Sequence, residues 1–363
     1  LANISAVYDK QVDMDTFMNE WHALYMSKSG ERGIFSRAAS QAVAAKNGRR
    51  DPKHEFGTNP CSEIILRPFE FCNLSEIVVR ANDDVESLKR KARLATIIGT
   101  LQSTLTDFRY INKKWKNNCD EERLLGVSFT GICDNKLLNK PSQKLADALD
   151  AIRLLCVETN KEFADALGVP QSAAITCVKP SGTVSQLVDS ASGIHPRYSQ
   201  FYIRRVRADM KDPLAQFMIN KGYFAEEDFY SKSNWVFSFP MKAPKNSVTR
   251  NDMTAIEQLE LWKIYQDHWC EHKPSITVYV GDDEWMEVGA WVYKNISILS
   301  GVSFLPRDNG SYRQAPYEEI DEAKYNELLA LQNVDINWVE FMEETDTTTS
   351  AKELACSAGV CEI

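Results

Sequence analysis

Asn59, Cys61 and Glu63 set an amide, a thiol and a carboxylate at alternate positions of Asn59-Pro60-Cys61-Ser62-Glu63, and a second thiol follows in Phe71-Cys72-Asn73-Leu74. If Asn59 to Glu63 is extended, positions i, i+2 and i+4 share one face, and the three side chains converge on one small volume. That volume would hold a hydrogen-bond donor, a nucleophilic or one-electron sulfur, and a base. Cys72 comes eleven positions after Cys61, room enough for a strand, a turn and a return to the same pocket. The plainer account is a proline-punctuated turn entering a strand that carries two ordinary buried cysteines.

A second stretch, Ile175 to Ser185, runs from a short β-branched segment into Pro180-Ser181-Gly182-Thr183 and then a helical pattern. This layout can hold phosphate on backbone N–H groups at a helix N-terminus. It lacks the Gly-Lys-Ser/Thr of a Walker loop, and a capped helix start explains it as well. His195, in Gly193-Ile194-His195-Pro196-Arg197, leads into a basic and aromatic strand, Phe201 to Arg207, and is a candidate contact to cofactor or substrate. Against that stands the commoner fate of a lone histidine, a satisfied core or surface group. His268, Cys270 and His272 suggest metal ligands, but His268 and Cys270 would diverge on a helix and no Glu follows His268, so no metal site is assigned. At the end of the chain Cys356 and Cys361 flank four small or flexible residues and can close a disulfide; as a metal-binding tail they fall short of four ligands.

These groups need a scaffold. Apolar periodicity predicts helices over 12–28, 85–110, 142–167, 254–272, 284–297 and 317–331, the fourth opened by the capping box Thr254–Glu257. Strands are expected at 4–8, 276–280 and 302–306, and the repeated strand-then-helix order favours an α/β fold with a largely parallel sheet. Residues 1–342 read as one catalytic unit. Residues 343–363 read as a flexible tail, because Asp346 to Ser350 has linker composition. With 363 residues, 44% of them hydrophobic, the chain can bury a large core. Its net charge of −9 argues against nucleic acid or an anionic membrane as the main partner. No apolar run is long enough to span a bilayer. Nine cysteines spread over so long a chain read as thiols in a reducing compartment, which places the protein in the cytoplasm. Leu1 begins without Met and runs at once into a strand-like segment, as though cut from a longer chain.

Taken jointly, the Asn-x-Cys-x-Glu triple, the second cysteine followed by Asn-Leu, the Pro-Ser-Gly-Thr loop and the terminal Cys-x4-Cys resemble the large, catalytic subunit of ribonucleotide reductase. Ser192-Gly-Ile-His195-Pro-Arg, Tyr202-Ile-Arg-Arg205, Gly301-Val-Ser-Phe-Leu-Pro306 and Gln314-Ala-Pro-Tyr317 look most like its adenosylcobalamin-dependent class II, and the resemblance covers nearly the whole chain. It implies that Cys61 becomes a thiyl radical and abstracts the 3′ hydrogen of a ribose. Glu63 would be the base on the 3′ hydroxyl, and Asn59 would hold the ribose hydroxyls. Cys72 would supply electrons and close a disulfide, Cys356 and Cys361 would reduce it by exchange, and thioredoxin or a similar dithiol would recharge the tail. Pro180, Ser181, Gly182 and Thr183 would hold the phosphates of a ribonucleotide, with triphosphate favoured over diphosphate.

The same resemblance implies the C-terminal half of a ten-stranded α/β barrel. The partner thiol of Cys72, the start of the barrel and the specificity site belong to the N-terminal portion of such enzymes, and no cysteine precedes Cys61 here. The expectation is therefore a part of a split or truncated enzyme, inactive without that portion. Adenosylcobalamin is preferred as radical source because no tyrosine follows Tyr325, where a class relying on a separate radical-generating subunit carries a Tyr-Tyr pair, and because the glycyl-radical class needs no cysteine tail. The alternatives are a fragment of the class I large subunit, a non-catalytic assembly or regulatory fragment, and a dithiol oxidoreductase built around the tail.

Overall fold

The computed structural model describes residues 4–10, 12–30, 32–307, 313–332 and 335–342, together with the backbone at 356–357 and 360–361. In chain order the first elements are β1 (Ile4–Tyr8), α1 (Met14–Ser27), β2 (Arg32–Ser36), α2 (Arg37–Lys46), and the two-residue strands β3 (Gly57–Thr58) and β4 (Ile65–Leu66). Next come β5 (Asn73–Val78), α3 (Val85–Gln102), α4 (Lys113–Glu122), β6 (Leu125–Thr130), α5 (Gln143–Leu167), β7 (Thr176–Cys177) and the single turn α6 (Val184–Leu187). The rest is β8 (Phe201–Asp209), α7 (Pro213–Asn220), β9 (Ala225–Glu227), β10 (Asn234–Lys242), α8 (Ala255–His268), β11 (Thr277–Val280), α9 (Trp285–Lys294), β12 (Val302–Pro306), β13 (Tyr317–Glu319) and α10 (Glu322–Leu331).

The expected α/β alternation is present. Strands β5, β6 and β7 pair in parallel, and a parallel bridge from Val178 to Pro274 carries the run on towards β11, which pairs in parallel with β12. Beyond β12 the direction reverses: β2 lies antiparallel to it and β1 parallel to β2. The described strands do not close on themselves; β5 and β1 are the outer strands. Helices α3, α5 and α8 cover this sheet, and the core between them includes Phe129, Ile152, Trp262, Tyr265 and Trp269, all fully buried. Trp262 Nε1 donates to Pro274 O at 2.8 Å and Trp269 Nε1 to Cys177 O at 2.7 Å, so the two largest core side chains also fix the segment joining α8 to β11. Among the described residues no helix is long and apolar enough to cross a membrane.

Three expectations change. The helix expected over 85–110 ends at Gln102. There Ser103 and Thr104 turn their hydroxyls onto the carbonyls of Thr100 and Leu101, both at 2.7 Å, a local bond that competes with helix continuation. The helix expected over 317–331 begins only at Glu322, capped by Asp321, while Tyr317–Glu319 forms an edge strand on β8. That strand belongs to a second, antiparallel sheet of order β13-β8-β10-β9, which the alternating pattern did not announce. The helix expected to reach 272 stops at His268.

Candidate active site

Asn59 to Glu63 is a tight turn and not the extended segment its alternation suggested. Ser62 N donates to Asn59 O at 2.9 Å, and Ser62 adopts φ +67°, a left-handed conformation that costs a non-glycine residue about 1 kcal/mol. The contacts that hold it come from far along the chain. Lys273 Nζ donates to both Ser62 O and Ser62 Oγ, at 2.5 and 2.9 Å, and Ser275 Oγ donates to Cys61 O at 2.6 Å. Lys273 N donates to Glu63 O at 3.3 Å, and Ile65 N donates to His272 Nδ1 at 3.3 Å. The segment 272–275 thus pins the turn at four points. Gly301 makes room for it: a Cβ there would lie 2.7 Å from Lys273 Nζ.

The turn presents its groups unequally. Cys61 is exposed, whereas Glu63 is wholly buried. Asn59 Oδ1 accepts from Ile64 N at 3.0 Å, which leaves the Asn59 Nδ2 amide as the group able to donate to a ligand. Glu63 Oε1 accepts from Lys179 Nζ at 3.0 Å, while Oε2 is enclosed without a hydrogen-bond partner among the described residues. Lys179 joins the pieces electrostatically: burial pulls its pKa down, but Glu63 foremost among its neighbours outweighs this and holds it above the ordinary lysine value. Cys72 reaches the same region, its Sγ 3.2 Å from where a Cβ on Gly126 would stand, so the glycine in β6 is what admits the thiol. Burial first, then Glu63 and Glu70, push the Cys72 thiol well up. Cys177 on β7 is likewise buried and pushed up, by desolvation and then by Glu63 and Cys72.

Behind Cys72 lies a buried ionic cluster. Arg50 bonds Glu122 at 2.7 Å and stands 3.4 Å from Glu70, and Arg67 stands 3.4 Å from Glu70 and 3.6 Å from Glu122. Two carboxyls crowded in so dry a place do not both ionise easily. Desolvation and Glu122 push Glu70 up to about 9, whereas Arg50 holds Glu122 below the usual carboxylate range despite its burial.

Of the Pro180–Thr183 loop, Ser181 is buried and committed. Its N–H donates to Ser192 Oγ at 2.9 Å, and its Oγ accepts from Ser185 N, in the one-turn helix α6, at 3.1 Å. The exposed side of the loop belongs to Gly182 and Thr183. His195 lines a small surface pocket with Arg197, Tyr198, Tyr202, Tyr279 and Tyr317. Both its nitrogens serve the backbone: Nδ1 lies 3.1 Å from Ser192 O, and Nε2 accepts from Thr277 N at 3.0 Å. Burial lowers its pKa to about 4, so the ring is neutral and acts as a brace between the 192–195 turn and β11. His268, Cys270 and His272 go to separate places, with His268 Nδ1 on Asp150 at 2.8 Å and His272 between Ile65 N and Leu125 O. Cys356 and Cys361 stand opposite one another in a two-stranded antiparallel ribbon; their side chains, and residues 343–355, lie outside the described residues.

Sequence reading missed Lys179, Lys273 and Ser275. Lys179 had a signal, a cation directly before the candidate phosphate loop. Lys273 and Ser275 had none, since nothing local ties them to a turn 211 and 214 positions away.

No family model matches the chain. It is 28% identical over 378 residues to the adenosylcobalamin-dependent ribonucleoside-triphosphate reductase of Lacticaseibacillus paracasei, covering 94% of this chain and 50% of that one. A probable adenosylcobalamin-dependent ribonucleoside-triphosphate reductase of Dictyostelium discoideum is 31% identical over 315 residues, covering 83% and 40%. Among solved structures, a B12-dependent (class II) ribonucleotide reductase superposes with a TM-score of 0.76 at 24% identity over 92% of this chain and 50% of that one. The alpha subunit of the Actinobacillus ureae class Id ribonucleotide reductase gives 0.56 at 12% identity, over 84% and 65%. The chain spans about half the length of the curated relatives it matches, and by sequence and fold together it is a homologue of part of an adenosylcobalamin-dependent, class II ribonucleotide reductase.

Proposed function

We propose that the chain is the C-terminal, catalytic part of a ribonucleotide reductase, an oxidoreductase that makes 2′-deoxyribonucleotides for DNA synthesis. The relatives named for triphosphate reduction favour a ribonucleoside triphosphate as substrate. The observation that carries the reading is the pair formed by an exposed thiol, Cys61, and, two positions on, a wholly buried carboxylate, Glu63, whose Oε2 is enclosed without a hydrogen-bond partner among the described residues. A buried acceptor without a partner is costly and calls for a ligand donor, which a ribose hydroxyl supplies.

The chemistry assigns each residue a task. Adenosylcobalamin, when bound, supplies the radical equivalent that oxidises a thiol. Cys61 suits it, because it is the exposed thiol among the described cysteines, whereas Cys72 is half-buried and the others are buried. The Cys61 thiyl takes the 3′ hydrogen atom, Glu63 takes the 3′ hydroxyl proton, and the Asn59 amide orients the ribose hydroxyls. The 2′ hydroxyl leaves as water. Two thiols provide two electrons and end as a disulfide, Cys72 being one of them, and Cys61 returns the hydrogen to C3′. The tail cysteines Cys356 and Cys361 then reduce that disulfide by exchange and are recharged by thioredoxin or a similar dithiol. Gly182 and Thr183, with Pro180 and Ser181 shaping the loop, hold the substrate phosphates on backbone N–H groups. His195 acts on this site through the turn it braces.

Five parallel strands followed by two reversed ones fit seven strands of a ten-stranded barrel, the remainder and the second thiol for Cys72 coming from the N-terminal portion. Cytoplasmic location follows from the need for a thiol reductant. The test combines this chain with the N-terminal portion of its relatives, adenosylcobalamin, a ribonucleoside triphosphate and a dithiol, and measures deoxynucleotide. Product that needs all components and vanishes with Cys61→Ala supports the proposal. Product without cobalamin but with a metal-containing subunit would reassign the class, and redox activity that survives Cys61→Ala would point to a tail oxidoreductase.

A further inference from the structure

The two oxygens of Glu63 are not equivalent. Oε1 is occupied by Lys179 Nζ at 3.0 Å, and Oε2 is enclosed and empty-handed among the described residues. Lys179 is itself well placed to hold that asymmetry. Its N–H donates to Ser128 Oγ at 2.8 Å, and the following Pro180 restricts its backbone to extended conformations. Its side chain is 31% exposed while that of Glu63 is 0% exposed, so the ammonium stands at the mouth and the carboxylate behind it. Neither Asn59 nor Cys72 offers a cation to the buried carboxylate. Lys273, the other nearby amine, is spent on Ser62.

We propose that Lys179 is a positioning residue for Glu63: it takes Oε1, fixes the carboxylate, and leaves Oε2 as the one oxygen that meets the substrate hydroxyl. This rests on the assignment of Glu63 as the base of the reaction above. Because Lys179 also opens the Pro180–Thr183 loop, the competing role is that of a phosphate ligand, and the two roles separate in kinetics. Loss of a positioning residue lowers kcat and alters its pH profile, whereas loss of a phosphate ligand raises KM.

Two measurements decide it. In this chain alone, the acetylation rate of Lys179 by acetic anhydride, followed by mass spectrometry, reports how firmly Glu63 holds the ammonium. Glu63→Gln should speed it about tenfold, because the amine loses the anion that favours its protonated, unreactive form. Glu63→Asp, which keeps the charge should the amide disturb the turn, should fall between. An unchanged rate in both variants overturns the pairing. In the complete reductase, Lys179→Met should lower kcat about 10- to 100-fold, keep KM within about twofold and displace the acid limb of the pH–rate profile, with Lys179→Arg restoring most of the rate. A raised KM with kcat intact overturns the proposal in favour of phosphate binding. If the unsubstituted reductase makes no deoxynucleotide, the assignment of function fails, and the acetylation result still decides the Lys179–Glu63 pair.

Discussion

At the scale of single residues, the site is governed by which groups are kept from water. Among the described cysteines Cys61 is the exposed one, and Cys72 is a thiol held protonated by burial beside Glu63. The two should therefore respond differently to substitution: Cys61→Ala removes both abstraction of the 3′ hydrogen and deoxynucleotide formation, whereas Cys72→Ser keeps the abstraction and loses deoxynucleotide formation, because one of the two reducing thiols is gone. Release of label from a 3′-tritiated substrate, measured beside deoxynucleotide, separates them. Lys273 makes a second prediction. It is fully buried, and desolvation outweighs the pull of Glu63 and Cys270, lowering its pKa to about 7 from the ordinary 10.5. Between those values the unfolded chain holds a proton that the folded chain has released, so stability contributed at this position rises with pH, by at most about 1.4 kcal/mol per unit. Below pH 7 the folded state must bury the charge and this gain is absent. Thermal melts from pH 7 to 8.5 should show the slope in the unsubstituted chain and a shallower one in Lys273→Met; equal slopes would mean that Lys273 does not titrate there.

At the scale of elements, the turn at 59–63 is held by the segment that leads into β11, and this is where sequence reading reached its limit. Asn59, Cys61, Glu63 and Cys72 were legible as chemistry because residue type and spacing are local. Their geometry was not, because alternation suggested a strand while the turn is folded back by Lys273 on Ser62 and Ser275 on Cys61, far along the chain. The helices α1, α5 and α8 were legible from apolar period and caps. The antiparallel sheet around β8 was not, because its half-buried strands carry arginines that pair across it, Arg205 with Glu318 and Arg207 with Asp228. The ionic cluster between β4 and α4 also shows how elements are held. Glu122 is the charged partner of Arg50, and Glu70 is the proton carrier beside it. Glu122→Gln, which leaves Arg50 and Arg67 short of an anion, should cost about 3–5 kcal/mol, the usual penalty for breaking a buried pair. Glu70→Gln replaces a neutral carboxyl by a neutral amide and should cost under about 1.5 kcal/mol. Urea titrations of both variants check the order, and a larger loss for Glu70→Gln would reverse the protonation assigned to the pair.

At the scale of the molecule, the sheet has two outer strands, β5 and β1, and the first of them borders the site. Asn73 N and Val79 N donate to β6 at 3.0 and 2.9 Å, so in a parallel ladder the amides of Leu74 and Glu76 point to the opposite side. The outward carbonyl of Val78 is met by Lys91 Nζ at 2.9 Å, which blunts one end of the edge and leaves the rest as a template for another strand. Leu74 also shares the close-packed spot over Gly126 with Cys72, its Cδ2 2.5 Å from a Cβ built there, so a strand added along β5 would lie beside the Cys72 thiol. The expected consequence is that the N-terminal portion of the relatives docks along β5 and brings its cysteine to Cys72. Hydrogen exchange followed by mass spectrometry should then show the amides of Leu74 and Glu76 exchanging quickly in this chain and slowly in the mixture, with protection growing in step with deoxynucleotide formation. Activity without protection of those two amides would place the junction elsewhere.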